Sequence, residues 1–169
     1  MKKTKIWVDA DSCPSLARNV ILKAAIRLNL NVIYVANRNI PFSMKSDLFS
    51  MKICEQSEGS ADNYIFENID ADDIAITRDI PLATRLVKKN ITVINDRGKQ
   101  FTESLCKTML AQRDLNLALN AAGLKLGRSF KSYGKDELYE FSNCLDKILT
   151  QKINAYNKFL LQENSLKTK

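Results

Sequence analysis

Apolar and polar positions in this chain alternate between two periods. Ile6, Trp7 and Val8 form a short unbroken apolar run that suits a buried strand, and they lead directly into Asp9-Ala10-Asp11. From Pro14 to Leu28 the apolar positions Leu16, Ala17, Val20, Ile21, Ala24, Ala25 and Leu28 recur at helical spacing. Pro14 is tolerated in a first helical turn, where its missing N–H costs nothing. Val32 to Val35 reads as a second strand ending at Ala36-Asn37, and Arg38 to Ser50 as an irregular segment around Pro41. A short strand is expected at Met51 to Cys54 and a turn at Glu58-Gly59-Ser60. A helix should follow over Ala61 to Ile69, with Ile65, Phe66 and Ile69 on one face. Ile74 to Thr77 is the next strand, and a helix through Lys88 carries Leu82, Ala83, Leu86 and Val87. Ile91 to Ile94 is the last strand, closed by a turn at Asn95-Asp96-Arg97-Gly98. Beyond it the pattern is helical. Glu103 to Ala122 forms one helix and Lys135 to about Gln162 a long one with a break near Thr150, leaving residues 165–169 as a frayed tail.

Strands alternating with helices predict an α/β protein, a three-layer α/β/α fold around a mostly parallel sheet extended by C-terminal helices. No repeat, linker or shift in composition divides residues 1–164, so one domain is expected. Right-handed crossovers place every strand-to-helix turn on one edge of such a sheet. Ligands of open α/β sheets bind at that edge.

Composition narrows the chemistry more than the fold. The chain has 169 residues, 45% hydrophobic and 27% charged, which is ordinary for a globular domain with a sizeable core. Its formal net charge of +7 suits a polyanionic partner such as nucleic acid, although the basic residues are scattered and an ordinary solvated surface explains them equally well. There is no histidine, which removes Ser-His-Asp and Cys-His catalysis and every histidine metal site. Any metal would be held by carboxylates, carbonyls and water, donors that suit Mg²⁺ or Mn²⁺. Cys13, Cys54, Cys106 and Cys144 lie far apart with no zinc spacing, so reduced thiols are expected. Asp9 and Asp11 interrupt the only apolar run behind the basic MKKTK start, so neither a signal peptide nor a membrane span is expected, and the cytoplasm is the expected location.

Polar residues fall at four strand-to-helix junctions: Asp9 with Asp11, Asp62, Asp79 behind Thr77, and Asn95-Asp96. Carboxylates gathered on one edge repel and raise one another's pKa unless a cation neutralises them. One or two bound divalent ions can activate water and stabilise a phosphoryl oxygen, which is phosphodiester hydrolysis without histidine. Capping is the competing explanation. Asp11, Ser12 and Asp62 all suit helix N-caps. Asp79 suits one less well, because Pro81 at the first helical position would make Ile80 the cap. Asp70 and Asp73 read as solvated loop residues. Cys13 is a poor nucleophile beside acids that raise its pKa. Trp7 and Tyr34 read as core, and Phe42 is the better candidate for stacking on a base. Lys88, Lys89, Arg97 and Lys99 read as solvated charges that could contact phosphate.

The segments DADSCP at 9–14, VAN at 35–37, ADN at 61–63, TRDIPLA at 77–83, NDRG at 95–98 and QRD at 112–114 resemble the bacterial YaiI/YqxD family, from about Lys5 to Leu149. That family is similar to PIN-like and NYN-type nucleases, whose α/β/α fold gathers acids around Mg²⁺ or Mn²⁺. The resemblance implies a metal-dependent nuclease acting on RNA or single-stranded nucleic acid. Asp9, Asp11, Asp62 and Asp79 would be ligands or activate water, and Thr77, Asn95, Arg97 and Asn37 would orient ligands or phosphate. Asn95, Arg97 and Gly98 match the family's N-P-R-G turn, and Asp114 its later R-D pair. Asp96 stands where the family has proline. Leu126-Gly127-Arg128 replaces a Gly-Gly-Pro, and Arg128 could add a phosphate contact. Two other readings fit the residues. One is an aspartyl phosphatase like the haloacid dehalogenases, with Asp9 as nucleophile and Asp11 as acid. The other is a nucleic-acid-binding domain without catalysis.

Overall fold

The computed structural model describes residues 2–123 and 133–167. The expected fold is present: five strands form one all-parallel sheet with helices on both faces. In chain order the elements are β1 (Lys5–Asp9), α1 (Ser15–Leu28), β2 (Asn31–Ala36), β3 (Phe49–Ile53), α2 (Ser60–Asn68), β4 (Ile74–Ile76), α3 (Ile80–Lys88), β5 (Thr92–Ile94), α4 (Glu103–Ala121) and α5 (Lys135–Lys167). The strand order is β3-β2-β1-β4-β5. The chain therefore winds outward from β1 to β3, then returns across the sheet to β4 on the other side of β1. This reversal between β1 and β4 is the topological switch point, where the connections part and leave a crevice at the carboxyl ends of the strands.

Right-handed crossovers dictate which helix lies on which face. On one face α1 and α5 cover Ile6, Val8, Val32, Tyr34, Ile74, Ile76 and Ile94. Helix α5 contributes Phe141, Leu145, Ile148 and Leu149, a helical stripe in which every residue is buried. On the other face α2, α3 and the first turns of α4 cover Trp7, Val35, Ala75 and Val93. Strand β1 is central, so both of its faces are buried, which is why it is continuously apolar from Ile6 to Val8.

Several expectations change. Helix α5 is unbroken at Thr150, because Leu149 and Ile153 carry the packed stripe through that position, and it continues to Lys167 into the segment expected to fray. Phe42 packs against the sheet. The β2–β3 connection folds over the sheet and seats Phe42 against Tyr34 and Phe49, with ring centroids 4.5 and 5.5 Å away. Asp73 is buried rather than solvated. It accepts hydrogen bonds from the Lys5 and Asp70 amides and from Trp7 Nε1, at 2.8, 3.1 and 2.8 Å. Gly98 lies where the β5 turn meets α5. Its φ is +78°, and a Cβ there would sit 2.5 Å from the Glu140 carbonyl oxygen, so both conformation and space require glycine. Leu126, Gly127 and Arg128 lie outside the described residues.

Candidate active site at the switch point

The carboxyl end of β1 is Asp9, paired in register with Val35 of β2 and followed by the tight turn into α1. Asp9 is only 7% exposed. Its Oδ2 accepts from Ser12 Oγ at 2.7 Å and from Thr77 Oγ1 at 2.8 Å. Burial raises the Asp9 pKa above the usual carboxylate value, and the hydroxyls of Ser12 and Thr77 offset part of that. Thr77, buried just after β4, also accepts from the Asp79 amide at 2.9 Å. One hydroxyl thus ties the ends of β1 and β4 together across the switch point.

Asp79 is the N-cap of α3, its Oδ1 accepting from the Leu82 amide at 2.6 Å. This corrects the expectation that Ile80 would cap. The helix begins at Ile80, which puts Pro81 in the second position and leaves Asp79 in extended backbone. Asp62 is not the cap of α2. That position is Gly59, in left-handed backbone at φ 74°, and Asp62 follows in the first turn. The Asp62 side chain has no hydrogen bond among the described residues, and its pKa is pushed up to about 6. Burial is the largest cause, followed by the charges of Asp79 and Asp9, with Arg85 opposing. Asp11 does not cap α1 either. Its Oδ2 accepts from the Asn37 amide at 2.6 Å and its Oδ1 from Arg38 Nε at 3.1 Å, which clamps the β1 turn to the end of β2. Asn37 Oδ1 in turn accepts from Ser60 Oγ at 2.9 Å, at the start of α2.

Asp9, Asp11, Asn37, Asp62 and Asp79 line one open pocket of about 460 Å³, together with Ser12, Gly59, Ala61 and Arg78. Thr77 stands behind Asp9. Asn95 and Arg97 are not in the pocket lining. Asn95 Oδ1 accepts from the Arg97 and Lys99 amides at 3.0 and 2.9 Å and so shapes its own turn. Arg97 pairs with Glu137 of α5 at 3.1 Å. Strand β5 is the outermost strand on its side, so its end is one strand further from the switch point than the end of β4.

Arg78 was not among the candidates read from the sequence, and Asp96 was named only as a polar residue at a strand-to-helix junction. Arg78 lines the pocket and pairs with Asp96, which is buried beneath it. Both had a positional signal, since each stands one or two residues beyond a buried apolar strand, as Asp9 does. Cys13 is adjacent but inert. Burial, reinforced by Asp96 and Asp9, pushes its thiol up to about 12 despite Arg18 and Arg78.

All acceptors converging on the pocket are oxygens. Asp9 Oδ1 accepts from no side chain, and Asp79 Oδ2 and both Asp62 oxygens have no hydrogen-bond partner, among the described residues. Among those residues no three acids or thiols stand close enough to enclose one metal ion. No described helix is long and apolar enough to cross a membrane.

A family model described as the uncharacterized YaiI/YqxD family matches residues 7–151. A UPF0178 protein of Treponema denticola is 48% identical over 147 residues, 87% of this chain and 92% of that protein. UPF0178 proteins of Marinomonas and Aliivibrio fischeri are 34% and 37% identical, over 88% and 87% of this chain and 99% and 97% of theirs. No solved structure matches. The chain belongs to the YaiI/YqxD family.

Proposed function

We propose that this protein is a metal-dependent phosphodiesterase that cleaves RNA or single-stranded nucleic acid at the switch-point pocket. One observation carries the reading. Asp9, Asp62 and Asp79 come from three distant segments into one pocket, and the charges of Asp79 and Asp9 help lift Asp62 to about 6. Mutual repulsion of this kind is costly to a fold, and it is typical of sites where a cation or a transferred proton is needed.

The donor set suits Mg²⁺ or Mn²⁺, being all oxygen with open acceptors. Mg²⁺ commonly uses one or two carboxylates and completes its shell with water and substrate phosphate, so the spread of these acids is compatible with it. Asp9 is the first ligand we assign, because the hydroxyls of Ser12 and Thr77 fix Oδ2 and leave Oδ1 without a side-chain donor. Asp79 would share an ion through Oδ2. Bound there, Mg²⁺ or Mn²⁺ would lower the pKa of a coordinated water and neutralise charge on the phosphoryl group. Asp62, whose pKa is raised to about 6, would take the proton from the attacking water. Asp11 serves as a rim clamp rather than as the general acid of a phosphatase, since the Asn37 amide and Arg38 engage both its oxygens.

The test is cleavage of a 5′-labelled single-stranded RNA in Mn²⁺ by the wild type and by Asp9→Asn. The reading predicts cleavage by the wild type and at least about a thousand-fold loss in the variant, with the thermal transition preserved. Undiminished cleavage by the folded variant overturns it.

A further inference from the structure

We propose that Arg78 is a contact for a backbone phosphate of the single strand, held toward the pocket by Asp96 as a positioning residue. The inference rests on the nucleic-acid reading above and names the group that draws a polyanion to an acidic site. Carboxylates alone would repel a phosphodiester, and among the described residues the pocket lining contains one cation, Arg78. Its guanidinium does not pair with Asp9 or Asp79 beside it. It pairs with Asp96, which is 2% exposed and lies on the turn after β5. Tyr133 flanks the same guanidinium, its ring centroid 5.9 Å away, and its hydroxyl donates to the Asp96 carbonyl at 2.8 Å.

Arg78 is therefore held from behind and from the side. Of the five N–H donors of an arginine, one has a hydrogen-bond partner among the described residues, and the side chain is 42% exposed. A planar fork with donors left over matches the paired oxygens of a phosphate. The strand order adds a second cation. Arg38 follows β2 and is anchored by Asp11 at 3.1 Å, Asp9 ends β1, and Arg78 follows β4. Along the edge the sequence is arginine, acid, arginine. A chain crossing the edge could place successive phosphates on the two arginines and pass over the carboxylates, whereas a lone phosphomonoester could use only one of them.

The test is fluorescence anisotropy of a labelled oligouridylate of about twelve nucleotides, in EDTA so that nothing is cleaved, across a series of KCl concentrations. Arg78→Gln is expected to weaken binding about 5–20-fold and to make the slope of log K against log[KCl] shallower by about 0.7. Asp96→Asn separates positioning from bulk charge. Removing a negative charge would by itself tighten binding, whereas loss of positioning weakens it. The double variant R78Q/D96N should bind no worse than Arg78→Gln, because Asp96 acts through Arg78. It also carries the test if Arg78→Gln alone fails to fold over an unpaired buried Asp96. Unchanged affinity and slope in Arg78→Gln or in the double variant overturns the proposal, as does tighter binding by Asp96→Asn. A wild type that binds no oligouridylate overturns this inference and the nucleic-acid reading together. Arg78-dependent binding by a protein that cleaves nothing in Mn²⁺ supports this inference and overturns only the catalytic reading.

Discussion

Two aspartates sit at opposite ends of the central strand pair and have opposite environments. Asp73 precedes β4 at the amino edge of the sheet and is 1% exposed. Two amides and the Trp7 indole N–H converge on its two oxygens. Asp9 ends β1 at the carboxyl edge and is 7% exposed. The hydroxyls of Ser12 and Thr77 both fall on one of its oxygens, the Ser12 amide also donates to the carboxylate, and further carboxylates share its pocket. Burial by itself therefore does not distinguish a structural acid from a functional one. At Asp73 the protein supplies every donor that the carboxylate needs. At Asp9 it leaves one oxygen without a side-chain donor and gathers like charge around it, an arrangement that a fold has no reason to keep for stability.

That contrast can be broken by mutation, and its largest expected effect is catalytic. Asp9→Asn should cost at least about a thousand-fold in Mn²⁺-dependent cleavage while leaving the fold intact. Asp73→Ala should do the reverse. It strands the buried Trp7 N–H and two amides, so urea denaturation should register a loss of about 3 kcal/mol, with cleavage per folded molecule unchanged. If Asp73→Ala left stability intact, the acid at the amino edge would not be the structural one.

The smallest effect is the most diagnostic in sign. The Asp62 pKa is raised to about 6, so its neutral form is the one the folded state favours. That contribution is fully present below the unfolded carboxylate value and is lost as pH rises through about 6. Asp62→Asn should therefore stabilise the protein at pH 8 by about 1 kcal/mol, a figure reduced for solvent screening of a half-buried carboxyl. The gain should vanish below about pH 4, where the wild-type acid is protonated as well. The same variant should lose cleavage. A variant that is both more stable and less active marks a strained active site, and a destabilised Asp62→Asn would refute the repulsion on which the contrast rests.

Much of this site was legible in the sequence, for a physical reason. A carboxylate that directly ends a buried strand has no solvated loop around it, so Asp9 stood out, and alternation of strands and helices put Asp62, Asp79 and Asp9 on one edge. Four things were not legible. Strand order depends on which helices pack on which face, so sequence could not show that β5 lies outermost and takes Asn95 and Arg97 away from the pocket. The capping role of Asp79 depended on a single residue of helix register, since the helix starts at Ile80 and not at Pro81. Asp73 stands in the polar stretch Asp70-Ala71-Asp72-Asp73, which reads as solvated. Only the fold brings the Trp7 indole to it. The packing of Phe42 was hidden for a related reason, because an irregular segment can also pack onto a sheet.

The central claim is that the acids around Asp9 form a cation site. Anomalous diffraction from crystals soaked in Mn²⁺ tests it most directly. The account predicts an anomalous peak in the switch-point pocket within bonding distance of Asp9 Oδ1, shared with Asp79 or Asp62, and none beside Asp73. A pocket with no peak, in crystals that take up Mn²⁺ at other acidic positions, would contradict it.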